Sequence, residues 1–407
     1  MADLPDGVYL GLSADDYFGQ PRMGSSDWIR LHKTRHGWWW QSRWNPDRAE
    51  PKSREFLLYG SALHALLLEG VEAYERAFAV APDKAAFPGV LVTTEDIKNA
   101  LARAGFDLSG TSKFTKKDWA REARIHLPSE VCWDNLLADF EGQLEVRRAA
   151  GKPVETISAA DDRMLRLMHK IALDPDRTDN QEVRRLLAPD VNEHPTLAEV
   201  SVFATLDGVA RRWRIDRMYP GLDMDLKSLG NWRGRPLAFE VGEVLARNGW
   251  DIQRADYHIG RTEAYRLISE GKLYGGSVEQ RRYIEQIVAE NPTWDWIWLV
   301  YQKPDGAGRA PVILPLMDLS WQVVWEKGQP STVPSDLRTW GERKLFKAIE
   351  FYKTCVDTFG LEQPWAFIEP LHFTDEQHAN TVRLPDWIRD TEPSATEAFR
   401  ATEGMAQ

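Results

Sequence analysis

The sequence predicts a mixed α/β fold in which helices flank a central sheet and a long helical insertion interrupts the chain. Three observations carry this. Residues 199–227 alternate apolar and polar side chains with the period of a strand, cut by the turn dipeptides Asp207-Gly208 and Pro220-Gly221. The segments before and after carry the three-to-four-residue apolar spacing of helices. The resulting order is helix, three strands, helices, two strands and a closing helix.

Each element has its local reason. Residues 8–44 mix short polar turns with a basic aromatic stretch at 28–43, and Ser25 or Ser26 is a candidate N-cap for a helix beginning at Asp27. Residues 56–68 are apolar almost all round, which predicts a buried helix. From 81 to 189 the pattern is amphipathic and helical, with polar breaks near 109–112 and 174–180 and no convincing strand. Strands at 199–206, 209–218 and 222–227 follow, joined by turns short enough for an antiparallel meander. A loop with Trp232 and Arg233 leads to helices at 237–247, 251–269 and 277–290. An aromatic strand at 296–301, a turn at 304–308 and a strand at 311–316 come next, then a helix at about 335–359. The expected division is an N-terminal helical part (1–80), a helical insertion (81–190), a catalytic core (191–318), a C-terminal helical region (319–390) and a disordered tail (391–407).

Composition narrows the class. The 407 residues are 43% hydrophobic, which supports a buried core and excludes disorder for most of the chain. Cys132 and Cys355 are its two cysteines, so neither a disulfide scaffold nor a four-cysteine metal site can be built within one chain. No basic segment followed by an apolar stretch opens the sequence, and no run approaches the roughly 18 apolar residues of a membrane helix, so a cytoplasmic protein without membrane contact is expected. Lys and Arg number 51 against 62 acidic residues, for a net charge of -11. That sum argues against nucleic acid, but an enzyme enclosing DNA can keep its basic residues on an inner face.

The chemistry concentrates on the third predicted strand. Strand residues two apart share a face, so Asp223, Asp225 and Lys227 project from one side, and Asp216 sits near the end of the neighbouring strand across a short turn. Carboxylate oxygens suit magnesium, and a lysine beside them can stabilise charge on a phosphate or orient water. Asp216 followed by Asp225-Leu226-Lys227 is a PD-(D/E)XK arrangement. An isolated Asp-x-Lys often just presents a solvated face, but Gln253 and Tyr257 share a helix face nearby, His64 lies in an apolar helix, and Glu199 opens the meander. Asp207 is explained by its turn alone. The basic and aromatic residues at 113–121 fit a nucleic-acid surface or a solvated helix face. The tryptophans of 28–43 fit core packing or stacking on an unpaired DNA end. Arg211, Arg212, Arg214, Arg217, Arg233 and Arg235 concentrate positive charge around the proposed site.

Six motifs in order resemble the nuclease domain of the RecE-type exodeoxyribonuclease family, within the PD-(D/E)XK superfamily, and more distantly RecB-type and lambda exonucleases. They are Gly7-Val-Tyr-Leu with Ser13-Ala-Asp-Asp-Tyr17, Gly60-Ser-Ala-Leu-His-Ala-Leu-Leu-Leu-Glu69, Glu199-Val-Ser-Val-Phe203, Arg214-Ile-Asp-Arg217, Met224-Asp-Leu-Lys-Ser228 and Gln253-Arg-Ala-Asp-Tyr257. The resemblance spans about 7–75 and 195–302. It implies a restriction-endonuclease-like core with His64 and Asp216 as metal ligands, Asp225 bridging metals, and the Leu226 carbonyl completing a shell. Lys227 would contact the attacking water or the phosphate, Gln253 and Tyr257 would orient the site or the DNA backbone, and Glu199 would be an accessory carboxylate. Arg214, Arg217 and Arg233 would contact DNA. Ile215 stands where the family often has proline, and an exposed Asp223 adds a carboxylate without a role.

The implied activity is Mg2+-dependent degradation of linear double-stranded DNA from its ends, with Mn2+ as a substitute, running 5′ to 3′ and leaving a 3′ strand for a single-strand annealing protein. The implied assembly is a toroidal homo-oligomer such as a tetramer. An endonuclease on the same fold and a catalytically silent DNA-end or annealing-partner adaptor stay open. Against the adaptor, clustered carboxylates repel one another without a cation, and a silent protein has no need of them.

Overall fold

The short buried strand β1 (Gly7–Leu10) opens the chain, followed by α1 (Ala14–Gly19), α2 (Ser25–Thr34) and α3 (Gly37–Gln41). Helix α4 (Glu55–His64) runs into a single π-helical stretch, Ala65–Glu69, and then α5 (Val71–Ala77) and β2 (Phe78–Val80). Helices α6 (Thr94–Arg103), α7 (Lys116–His126) and α8 (Trp133–Ala149) precede β3 (Glu155–Ile157), α9 (Ala159–Leu173) and α10 (Gln181–Leu187). The meander is β4 (Ala198–Leu206), β5 (Val209–Tyr219) and β6 (Leu222–Gly230). Then come α11 (Leu237–Asn248), α12 (Trp250–Ser269), β7 (Leu273–Gly275), α13 (Val278–Glu290), β8 (Asp295–Lys303) and β9 (Val312–Asp318). A hairpin of β10 (Trp321–Glu326) and β11 (Gln329–Pro334) leads to α14 (Asp336–Phe359). This computed structural model describes residues 3–366 apart from 36, 50–54, 152–153, 189–194, 232, 304–311, 319–320, 327–328 and 335. The 304–308 turn and the 391–407 tail lie outside the described residues.

The expected mixed α/β fold is present: a seven-stranded sheet in the order β7-β1-β4-β5-β6-β8-β9, with helices on both faces, consistent with a PD-(D/E)XK-like core. One face packs Val202, Trp213, Ile215 and Trp298 against α11, α12 and α13 through Val241, Tyr257 and Ile284. The other packs Met224, Leu226, Ile297 and Leu299 against α4, the π-helical stretch, α9 and α10 through Leu63, Leu66, Leu165 and Val183. Helices α6 and α7 carry a separate small core around Ile97, Leu101 and Trp119.

The Asp207-Gly208 turn behaves as its sequence demands. Both residues take positive φ, 48° and 77°, the backbone of a two-residue hairpin turn. The β4–β5 register runs from Leu206 opposite Val209 back to Ala198 opposite Arg217. The β5–β6 ladder is short, ending at Arg217 opposite Met224, while β6 pairs in parallel with β8 from Leu222 to Gly230. The two strands therefore fork just where their register would set Asp216 opposite Asp225.

Several elements differ from expectation. Strands β1 and β7, of four and three residues, are too short to show a period. Strand β3 lies in the segment read as wholly helical and pairs in parallel with β2. The β10–β11 hairpin occupies the start of a region expected to be helical. Helix α2 begins at Ser25, and the Gly24 N–H is taken by the Asp27 carboxylate at 3.0 Å, so neither serine is the cap. Trp28, Trp38 and Trp39 are core residues at 2% exposure or less, which removes them as a stacking surface for DNA. Among the described residues no helix is long and apolar enough to cross a membrane.

Candidate metal centre

The site begins at a break in the sheet. Leu197 and Val200 on β4 and its approach, and Ile215 and Met218 on β5, all face the same core although each pair is three residues apart. Strict alternation would send one of each pair to the opposite face, so the pleat slips between them. The residues at the slip are Glu199, held at a φ of 54°, and Asp216. Register sets these two directly across from each other, and His64 comes over them at the end of α4, immediately before the π-helical stretch, a distortion often found at functional sites.

His64 Nδ1 lies 3.6 Å from Asp216 Oδ2 and 3.7 Å from Glu199 Oε1. One ligand atom from each of the three falls within 4.8 Å of the other two. His64 Nε2 is 2.9 Å from the Leu226 carbonyl, which can only accept, so this nitrogen carries a proton. In the neutral ring the Nδ1 lone pair then points at the two carboxylates. The Leu226 N–H donates to Asp216 Oδ2 at 2.8 Å, replacing the ladder bond lost at the fork. The Leu226 carbonyl is thus engaged by His64, where the resemblance had it complete a metal shell.

On the other side of the fork, Lys227 Nζ bridges both oxygens of Asp225 at 2.7 and 2.8 Å. Gln253 Nε2 donates to Asp225 Oδ1 at 3.3 Å from α12. Tyr257, one turn further on, is buried, and burial with help from Tyr17 and the Asp216 and Asp225 charges pushes its phenol well above its ordinary value. Gln253, Tyr257, Asp225, Lys227, Asp216, His64 and Glu199 are therefore brought to one region of the molecule.

The electrostatics of the cluster suit a cation. Burial pushes the Asp216 carboxyl up to about 7, with the Asp225 and Glu199 charges adding to the rise against the pull of His64. Burial opposes charge on His64, yet Asp216 and Glu199 outweigh it and lift the imidazole to about 9. Glu199 is held below its usual value despite burial, by its hydrogen bond to His64 and by Arg214. Without metal, a proton on His64 Nδ1 stands between the two carboxylates. One nitrogen and two carboxylate groups converging on that position fit a small divalent ion replacing the proton.

The arginines read differently in the structure. Arg217 is buried, donating to the carbonyls of Leu68 at 2.8 Å and Leu186 at 3.3 Å, so it cannot reach DNA. Arg214 is ion-paired with Glu199. Arg211 is buried against Asp256, and Arg212 caps α1 through the carbonyls of Tyr17, Phe18 and Gln20. Arg233 and Arg235 share Glu243, each at 2.6 Å, on the surface. The expected basic excess is thus largely spent on structure. Asp223 is not exposed: it and Arg261 form an ion pair with both side chains fully buried. In the 113–121 stretch, Lys116 pairs with Asp134 at 2.9 Å and Arg121 with Glu122 at 3.2 Å, as on a solvated face.

Trp250, whose ring centroid lies 5.9 Å from Lys227 Nζ, was not anticipated, although it sits three residues before Gln253 and so on the same helix face. Glu199 was legible too: counting back from the two-residue turn sets it opposite Asp216.

No protein-family model and no curated protein matches the chain. Among solved structures, a Eubacterium rectale protein provisionally called an exonuclease aligns over 94% of each chain at 12% identity, with a TM-score of 0.34. That likeness is too distant to assign chemistry, which rests on the site itself.

Proposed function

We propose that this protein is a divalent-metal-dependent exodeoxyribonuclease of RecE type, acting on the ends of linear double-stranded DNA. The observation that carries the reading is the convergence of His64 Nδ1, Glu199 and Asp216 within 4.8 Å, beside the Asp225–Lys227 pair of the forked strand. His64, Asp216 and Asp225 would hold Mg2+, or Mn2+ in its place, with Glu199 as an accessory carboxylate. The bound ion would supply Lewis-acid charge at the scissile phosphate and lower the pKa of a water.

The chain's own groups do the rest. Asp225 turns its carboxylate toward the fork and is kept there by Gln253. Lys227 carries a fixed positive charge at the position where phosphate charge builds up in the transition state. Arg214 steadies Glu199, and Arg233, exposed though paired with Glu243, would contact the DNA backbone. The direction 5′ to 3′, a 3′ strand passed to a single-strand annealing protein, and a ring of subunits around the duplex belong to the same reading, supported by the ordered motifs.

The test is digestion of end-labelled linear duplex without metal, with Mg2+ and with Mn2+, comparing the two labelled ends, with closed circular DNA alongside. Metal-dependent loss of the 5′ label with the circle intact is expected. Cutting of the circle would make the protein an endonuclease, and no cleavage with either metal would overturn the reading.

A further inference from the structure

The face of β6 that carries Asp223, Asp225 and Lys227 looks toward α12, and that helix begins at an unusually crowded corner. Gly249, the junction between α11 and α12, has a φ of 77°, and a Cβ there would meet Ile29 Cγ2 of α2 at 2.9 Å. From the other side α14 closes in. A Cβ on Gly341 would lie 2.3 Å from the Asp251 carbonyl oxygen, so the two helix backbones touch where only glycine fits. Three residues on, Lys344 Nζ reaches Asp251 Oδ2 at 2.7 Å, with the Asp251 side chain fully buried. Trp250 and Gln253, the two residues that engage Lys227 and Asp225, flank this contact in sequence.

We propose that the C-terminal helix is the positioning element of the site: Gly341 and Lys344 fix the first turn of α12, and through it hold Trp250 against Lys227 and Gln253 against Asp225. Gly341, Lys344 and Trp250 are positioning residues in this account. A buried charge pair resists sliding because any shift leaves a charge unpaired, and a backbone-to-backbone contact resists it because neither side can yield by rotating a side chain. The turn of α12 that faces the strand is thereby set by a helix nearly a hundred residues further along the chain.

The kinetic arm of the test rests on the nuclease reading, and a second arm does not. In full-length protein, Gly341→Ala and Lys344→Met are compared with Phe346→Ala, an exposed α14 residue outside the contact. Amide exchange over residues 249–257 is expected to quicken in the first two and stay unchanged in the third. Initial rates on linear duplex should show kcat lower by about ten- to a hundred-fold, the scale of a misplacement near 1 Å, with KM and the Mg2+ midpoint unmoved. Trp250→Phe, which keeps an aromatic face, should retain more of kcat than Trp250→Leu. If Gly341→Ala does not fold, Lys344→Met, which keeps the aliphatic stem, carries the comparison. Unchanged exchange in these variants, or faster exchange with full kcat, overturns the proposal. If the wild type cleaves no DNA, the nuclease reading falls, and the exchange result alone decides whether α14 fixes the corner.

Discussion

Replacing Asp216 with asparagine should make the metal-free protein more stable while destroying its response to metal. The amide keeps an oxygen to accept the Leu226 N–H, now 2.8 Å from Asp216 Oδ2, and changes little in volume, so no cavity opens. What it removes is a buried charge facing Asp225 and Glu199. The Asp216 carboxyl titrates at about 7 in the fold against 3.8 as its reference. Because the folded value is the higher one, the stability this group contributes is present at low pH and is lost as pH rises from the reference value through 7. At pH 8 the full difference corresponds to a ceiling of about 4 kcal/mol, at 1.36 kcal/mol per unit. His64 shares the charge and loses its own partner in the variant, which brings the expected gain to about 2 kcal/mol. Urea denaturation in chelator at pH 8 and near pH 4 measures it: the variant should be the more stable at pH 8, with the advantage shrinking toward pH 4. Added Mg2+ or Mn2+ should raise the midpoint of the wild type and leave Asp216→Asn where it was. A variant less stable than wild type at pH 8 without metal, or one whose advantage does not change with pH, would refute the reasoning.

Lys227→Ala should lower DNA cleavage by about 10²- to 10³-fold, the usual worth of one group aimed at transition-state charge, and should also lower the urea midpoint because it leaves the buried Asp225 without its cation; near-wild-type rates would remove it from the chemistry. Arg261→Met strands the fully buried Asp223 without its partner and should cost about 3–5 kcal/mol in urea, most of it recovered in the Asp223→Leu/Arg261→Met double variant. His258 accepts from Arg338 at 3.3 Å, and burial with Arg254, Arg338 and Arg261 nearby depresses it to about 4, so its neutral form contributes stability above pH 6.5 that is lost as pH falls toward 4. His258→Gln should flatten that acid loss by about 2 kcal/mol after solvent screening, and an identical acid profile would reject the assignment.

Local patterns carried most of the sheet. The meander followed from period-two alternation and two turn dipeptides. Asp216, Asp225 and Lys227 came with it, since strand spacing and one short turn bring them together without any distant contact. His64 could be placed only by its motif, because nothing local says which helix crosses a fork. The slip of the pleat was written in the three-residue spacings Leu197 to Val200 and Ile215 to Met218, but strict alternation was assumed over them. Strands β1 and β7 stayed hidden because their pairing partners lie far along the chain. The arginines were misread for a related reason: sequence shows that a cation is near a site, whereas its partner, such as the Leu68 carbonyl for Arg217, is fixed only by the fold.

In the proposed site the strand carrying Asp223, Asp225 and Lys227 would supply a single carboxylate, Asp225, and the alignment of β6 with α12 accounts for that difference. Asp223 meets Arg261, Asp225 meets Gln253, and Lys227 meets Trp250, so strand and helix run in opposite directions along one another. Four strand residues rise about 13 Å and eleven helical ones about 16 Å, so the two segments are of comparable length. The ladder is graded in charge. At the buried end a carboxylate meets a guanidinium and the pair is closed, leaving nothing for a cation to attract. In the middle a carboxylate meets a neutral amide from the helix and takes its cation from Lys227 on its own strand. At the open end an ammonium with 16% of its side chain exposed faces an aromatic ring, which supports the positive charge and does not neutralise it. One helix thus closes off the first carboxylate and leaves the second to its pairing with Lys227, and the difference between Asp223 and Asp225 lies in which residue of α12 each one faces.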